Sequence, residues 1–115
     1  NDVIELIDST KFRWKGRIDN LINSAGVKIF PEMDEKLIAH LFNGIRFYLS
    51  SKKSETLGEE VVLIIEAIFL NESKQNEILK QTESLLPKYH APKSILFFDK
   101  FEETKNGKII RKKFS

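Results

Sequence analysis

The chain has 115 residues, 41% hydrophobic and 31% charged, which suits one globular domain with a modest core. It has no cysteine, which excludes disulfides and thiolate metal sites and agrees with a cytoplasmic protein. Its net charge of +2 hides a split, since residues 31–85 carry six basic and ten acidic side chains while residues 86–115 carry eight basic and three acidic. The C-terminal end therefore prefers an anionic partner or an acidic surface. Val3–Ile7 and Lys11–Trp14 read as two strands joined by the polar Asp8-Ser9-Thr10, a hairpin. Gly16 breaks the pattern, residues 17–26 end in the loop signal Ser24-Ala25-Gly26, and Val27–Phe30 is briefly extended. Pro31 suits the start of a helix carrying Met33, Leu37, Ile38, Leu41 and Phe42, closed by Gly44. Ile45, Phe47 and Leu49 alternate with polar residues as a half-buried strand, followed by a polar loop from Ser50 to Gly58. Glu60–Leu70 is apolar on both faces and reads as the central strand. It is interrupted by Glu66 and is too short to span a bilayer. Ser73 is placed to cap a second helix to about Leu86, with Ile78, Leu79, Leu85 and Leu86 inward. Pro87 and Pro92 bracket a loop before a last strand, Ser94–Phe98.

This order predicts an α+β domain: a small sheet of about three strands flanked by helices and preceded by a short β-hairpin. The N-terminal Asn1-Asp2-Val3 lacks an initiator methionine and any secretory pattern, so the chain reads as a piece of something longer. Fold alone does not specify function.

Few residues offer chemistry. His40 and His90 lie far apart with no carboxylate pattern around them, which predicts surface or packing roles and no metal site. Trp14 is expected to pack. Glu59 and Glu60 are expected to flank a strand in water, and Glu102 and Glu103 to temper the charge of Lys108. Two segments remain: Gly16-Arg17-Ile18-Asp19, continuing through Ser24-Ala25-Gly26 to Pro31-Glu32, and Thr104-x-x-Gly107-Lys108-Ile109-x-Arg111. Each is weak alone. In this order, with a small α+β domain between them, they are specific.

Together they resemble the C-terminal domain of the adenylate-forming superfamily, which includes acyl-CoA synthetases, peptide-synthetase adenylation domains and luciferases. The resemblance covers essentially the whole chain. It implies that Asp2, like the aspartate ending the family's Thr-Gly-Asp motif, and Arg17 bind the ribose of the nucleotide. It implies that Asp19 is the pivot of domain rotation, that Ser24, Ala25 and Gly26 line the pantetheine tunnel, and that Lys108 is the catalytic lysine of adenylation. Residues 1–18 would be the hairpin and the end of the link from a missing N-terminal adenylation domain, and residues 19–115 the mobile C-terminal domain. The implied partners are that domain, a small carboxylic acid, ATP and CoA, with Mg2+ in the full-length enzyme, no nucleic acid and no membrane span. The fragment alone would carry no bound cofactor, bind ATP only weakly and catalyse nothing.

Physical chemistry agrees with a role for Lys108. Attack of a carboxylate on the α-phosphate builds negative charge that a compact ammonium stabilises, more so where water is excluded. A preceding glycine permits the turn that presents it, and Ile109 can anchor that turn in the core. Arg111 and Lys112 are expected to face a larger partner domain. The chain departs from the family at Asn23, where lysine is common, at Asp34, commonly apolar, and at Glu102, commonly proline. The stretch "GRIDNLINSAGVKIFPE" further resembles o-succinylbenzoate–CoA ligases of menaquinone synthesis, although the acyl pocket of the family lies outside this chain. Two other readings stay open: a nucleic-acid-binding module built on the basic stretch Lys105–Lys113, and a protein-interaction domain that kept the fold and lost the chemistry. Salt-dependent binding of nucleic acid would favour the first, and a partner lacking a phosphate-binding loop the second.

Overall fold

Alternation on either side of Asp8 produces an antiparallel ribbon of β1 (Asp2–Asp8) and β2 (Lys11–Arg17) in the computed structural model, which describes all 115 residues. Thr10 closes the turn by donating twice to Asp8 Oδ1, from its N–H at 2.8 Å and its hydroxyl at 2.9 Å. Leu6 faces Phe12 and Ile4 faces Trp14 across the strands, yet all four are exposed. Trp14 therefore does not pack into a core as its composition suggested. Its ring carries Lys36 Nζ at 5.6 Å from the centroid. The ribbon forms its own sheet and meets the rest of the molecule chiefly where β2 passes α1 (Pro31–Ile38).

The main sheet has five strands rather than three. The expected strands are β5 (Phe47–Ser54), β6 (Gly58–Glu66) and β7 (Ser94–Phe98), with β5 antiparallel and β7 parallel to β6. The two additional strands are β3 (Ile22–Ser24) and β4 (Val27–Ile29), a short hairpin that joins the start of β6 at Ser24 and Gly58. Strand β4 falls in the stretch expected to be briefly extended, whereas the three residues of β3 carry too little alternation to be read from sequence. Strand β5 runs through the stretch expected to be loop because Ser50 and Ser51 are buried beneath the C-terminal segment. Residues 67–70 lie beyond β6, where Ile68 and Phe69 point into solvent.

Helix α1 is shorter than predicted, ending at Ile38 in a single 3-10 turn. Helix α2 (Glu72–Leu85) is capped by Asn71, not Ser73, whose side-chain oxygen accepts from Lys74 N at 2.8 Å. Ile78, Thr82 and Leu86 face inward while Leu85 is exposed, since positions four apart share a helical face.

Both helices cover one face of the sheet, where Val61, Leu63 and Ile65 of β6 join Ile22, Ile29, Ile38, Leu49 and Ile78. Val62 and Ile64 face the other way, against Tyr48 and Phe101, with Ile109 and Phe114 packed on them. The uninterrupted apolar run of β6 thus follows from cover on both faces. The cover on the second face is the C-terminal segment itself, whose Phe114 exchanges backbone hydrogen bonds with Ser51 and Lys53 at 2.8 and 3.0 Å. No helix is long and apolar enough to cross a membrane.

Charged side chains tie this cover down. Arg46 binds Glu66 with two nitrogens and Glu103 with a third, while Phe101 N donates to Glu66 Oε2 at 2.8 Å. The Arg46 hydrogen bond, then that of Phe101, holds the Glu66 carboxyl down at about 2, against an ordinary value of 4.5. A carboxyl lowered on folding stabilises the fold above its unfolded value and loses that contribution as pH falls through the folded one. Thermal unfolding followed by circular dichroism should therefore show stability lost from pH 4.5 down to about 2. Glu66→Gln should flatten that slope, and parallel curves for the two proteins would show that this clamp does not drive it.

Candidate functional site

The residues expected near the nucleotide do converge. Asp2 and Arg17 are directly opposed on β1 and β2. The Arg17 guanidinium lies 3.8 Å from Asp2 and 3.5 Å from Asp19, all three side chains being more than half exposed. Ion pairs this wet cost little to break, so the arginine is free to exchange them for a ligand. Asp19 sits in a one-turn 3-10 helix, Ile18–Asn20, between extended residues at Arg17 and Leu21. That is a short, weakly hydrogen-bonded link between the ribbon and the main sheet.

What fixes this link is a residue to which the sequence assigned no role. Glu32, buried at the start of α1, accepts from Arg17 N at 3.0 Å and from Asn20 Nδ2 at 2.8 Å through one carboxylate oxygen. Its other oxygen, Oε1, is buried without a partner. Gly16 makes room for it: φ there is +150°, and an added Cβ would lie 2.5 Å from Oε1. A β-bulge at Lys15, where β1 and β2 shift register, brings the backbone into this position. Gly16→Ala should cost about 2–4 kcal/mol through torsional strain and displacement of a buried carboxylate. A denaturant midpoint equal to that of the parent would show that Glu32 yields freely.

Ser24, Ala25 and Gly26 form the β3–β4 turn. Ser24 is buried, Ala25 N donates to Leu57 O at 2.8 Å, and φ is positive at Ala25 (52°) and Gly26 (82°). A two-residue hairpin turn of this hand needs left-handed residues at both positions, which an alanine adopts only under strain. Ser24 and Ala25, though not Gly26, line a groove of about 1170 Å³ walled by Val61, Leu79 and Leu86, along which Lys80, Lys88 and Lys93 also lie.

Lys108 stands on a separate hairpin turn. Thr104 N donates to Lys108 O at 2.8 Å, Gly107 N to Thr104 O at 3.0 Å, and Lys108 N to Thr104 Oγ1 at 3.2 Å. Gly107 takes φ +80° at the apex, and Ile109 packs beneath on the second core cluster, as expected. Five cationic side chains crowd the stretch from Lys105 to Lys113, and three of them are tied to the body of the domain. Arg111 pairs with Glu35, Lys112 with Glu102, and Lys113 with Glu59 and the Leu21 carbonyl. Lys108 is exposed and makes no ion pair.

Several side chains therefore differ from expectation. Arg111 is turned inward rather than towards a partner domain, and Lys112 is matched within the domain. Glu102 and Glu103 serve Lys112 and Arg46, not Lys108. Glu59 ties β3 to β5 and the tail, accepting from Asn23 N at 2.8 Å, Ser51 Oγ at 2.6 Å and Lys113 Nζ at 3.2 Å. Burial pushes its carboxyl up, but these bonds prevail and hold it below the ordinary range. Asp34, where the family is commonly apolar, is buried and bonded to His90 Nδ1 at 2.8 Å, and burial raises its carboxyl despite that contact. His90 thus meets a carboxylate that the sequence did not place beside it, while His40 is exposed. No three histidine, cysteine or carboxylate side chains converge in the structure.

No protein-family model matches the chain. Among curated proteins it is 31% identical over 93 residues to a medium-chain acyl-CoA ligase of Mycobacterium avium, a match spanning 81% of this chain and 17% of that protein. It spans only 17–20% of the length of the curated relatives it matches. Among solved structures, an AMP-forming acyl-CoA synthetase-like protein of Dyadobacter fermentans matches 95% of the chain with a TM-score of 0.72 and 34% identity, over 32% of its own length. The o-succinylbenzoate CoA synthetase of Bacillus subtilis shares the fold, with a TM-score of 0.77 at 19% identity over 94% of this chain and 22% of that one. In sequence and in fold, the chain belongs to the AMP-forming acyl-CoA synthetase superfamily, whose C-terminal domain it matches.

Proposed function

We propose that this domain serves an ATP-dependent acid–CoA ligase and acts in both of its half-reactions. The observation that carries the reading is Lys108: in a tail whose other clustered cations are largely matched internally, it is exposed on a glycine turn with no partner. In the first half-reaction a carboxylate oxygen bonds to the α-phosphorus of ATP, the bond to the bridging oxygen breaks, and pyrophosphate leaves. Lys108 stabilises the charge that accumulates on the phosphoryl oxygens. Asp2 and Arg17 hold the ribose. The segment from residue 19 onward then rotates about Asp19 while residues 1–18 stay with an N-terminal adenylation domain, withdrawing Lys108. The Ser24-Ala25-Gly26 turn, with the groove beside it, guides the CoA thiol. Its sulfur bonds to the acyl carbon, AMP leaves with the electron pair of the broken acyl–oxygen bond, and the thiol proton goes to solvent.

By itself the chain is expected to bind ATP weakly and turn nothing over. Mg2+ would come with the nucleotide. The first acid to try is o-succinylbenzoate: the stretch Gly16–Glu32 resembles ligases for that acid, and the Bacillus subtilis enzyme shares the fold. The test is ATP–pyrophosphate exchange by the full-length protein over a panel of aromatic, short-chain and medium-chain carboxylic acids. Exchange with one class of acid, followed by CoA-dependent release of AMP, is the expected result. Absence of exchange with every acid would replace the ligase reading with that of an interaction domain.

A further inference from the structure

The turn that carries Lys108 has two arms, and each is fastened to the body by an arginine–carboxylate group. The leading arm is held where Phe101 N meets Glu66 and Arg46 bridges Glu66 to Glu103. The trailing arm, three residues beyond Lys108, is held by Arg111. Both terminal nitrogens of its guanidinium bind Glu35 of α1, one to each carboxylate oxygen. Glu35 Oε2 also accepts from Leu49 N at 2.9 Å, so one carboxylate joins α1, β5 and the tail. The guanidinium lies over the Tyr48 ring, 5.6 Å from its centroid, and the Tyr48 hydroxyl accepts from Lys112 N at 3.3 Å. Within the turn the backbone closes only on itself, Thr104 N to Lys108 O and Gly107 N to Thr104 O, and the Lys108 N–H has only the hydroxyl of the exposed Thr104.

We infer that Glu35 and Arg111 are positioning residues for Lys108, fixing the trailing arm so that the ammonium is delivered in one place when the domain closes. This rests on the assignment of Lys108 to adenylation. Stability alone is a poor explanation for the pair. Its side chains are only 14% and 25% exposed, and burial opposes the charge of both: it raises the Glu35 carboxyl despite the bonds from Arg111, whereas at Arg111 those bonds prevail over burial and raise the guanidinium. Desolvating two charges commonly cancels their attraction, so a pair of apolar residues would hold the fold as well. What a bidentate guanidinium–carboxylate contact adds is direction, because the planar fork accepts only a narrow range of approach. Displacement of a catalytic group by about 1 Å costs on the order of 10²-fold in rate, so direction matters at this turn.

The experiment compares Glu35→Gln and Arg111→Lys in the full-length ligase, with Lys108→Ala as reference. Adenylation is read by pyrophosphate exchange and thioester formation from pre-made acyl-adenylate. Both pair variants should lower the adenylation kcat by about 10- to 100-fold with little change in KM for ATP, and leave thioester formation within about twofold of the parent. Equal losses in both half-reactions, or no loss in either, would overturn the inference. If Glu35→Gln fails to fold, Arg111→Lys, which keeps the cation, decides by the same two readings. Failure of both to fold would make the pair a folding element and overturn it too. If Lys108→Ala itself retains adenylation, the ligase assignment of that lysine fails and takes this inference with it. If Lys108→Ala abolishes adenylation while the pair variants stay active, only the positioning role is lost.

Discussion

Replacing Lys108 with alanine in the full-length ligase is expected to cut acyl-adenylate formation by roughly 10²–10³-fold. Thioester formation from pre-made acyl-adenylate should stay close to the parent rate. The size of the first effect follows from the work assigned to the ammonium. It meets charge that exists fully only in the transition state, so its loss appears in kcat rather than in KM. The second expectation follows from geometry. Lys108 stands on the 104–108 turn, whereas the thiol path is assigned to the separate turn at Ala25 and Gly26. The substitution should be structurally mild, because Lys108 is exposed and unpaired while the turn is made by its backbone, Thr104 and Gly107. Pyrophosphate exchange measured beside thioester formation checks both points. Equal losses in the two half-reactions would end the division of labour.

Asp19→Pro should reduce overall acyl-CoA formation by roughly tenfold or more while leaving at least one half-reaction near its parent rate. Asp19 occupies a single 3-10 turn between extended residues, where the chain changes direction. Proline fixes its own φ near −65° and drives the preceding residue out of helical conformations, so the variant penalises the turn now made by Ile18. A domain that must visit two orientations in each cycle is then held to one. The contacts that would resist this are few: the exposed pairs of Arg17 with Asp2 and Asp19, and the bonds of Arg17 and Asn20 to Glu32. Single-turnover and steady-state rates on the same variant separate the steps. Unchanged steady-state turnover would remove Asp19 from the hinge.

Most of the frame was legible along the chain because it rests on local patterns. The ribbon shows as alternation around Asp8-Ser9-Thr10, α1 as Pro31 before a helical apolar period, and β6 as an unbroken apolar run. The turn at Gly107 is legible for the same reason, since a glycine permits the positive φ that such a turn takes. Strand β4 was legible as the extended stretch from Val27, but β3 was not: three residues within a loop signal, it pairs with β4 and meets β6 at Gly58, partners that only the fold brings together.

The side-chain partners of the site depended on distance in space. Glu35 and Arg111 are 76 residues apart, and Arg46 and Glu103 are 57 apart. No periodicity connects such residues, and charge counting alone sent Arg111 outward. The α+β frame, the order of its elements and the two motif segments are written locally, because helix, strand and turn preferences act over a few neighbours. Which charges are consumed inside the domain, and which stay free, follows from how the folded chain closes on itself. The C-terminal segment folds back over the second face of the sheet and binds its cations to carboxylates of α1, β6 and Glu102. A charge is spent or left available according to the partner the fold brings within about 3 Å of it, and only the closed chain supplies that distance.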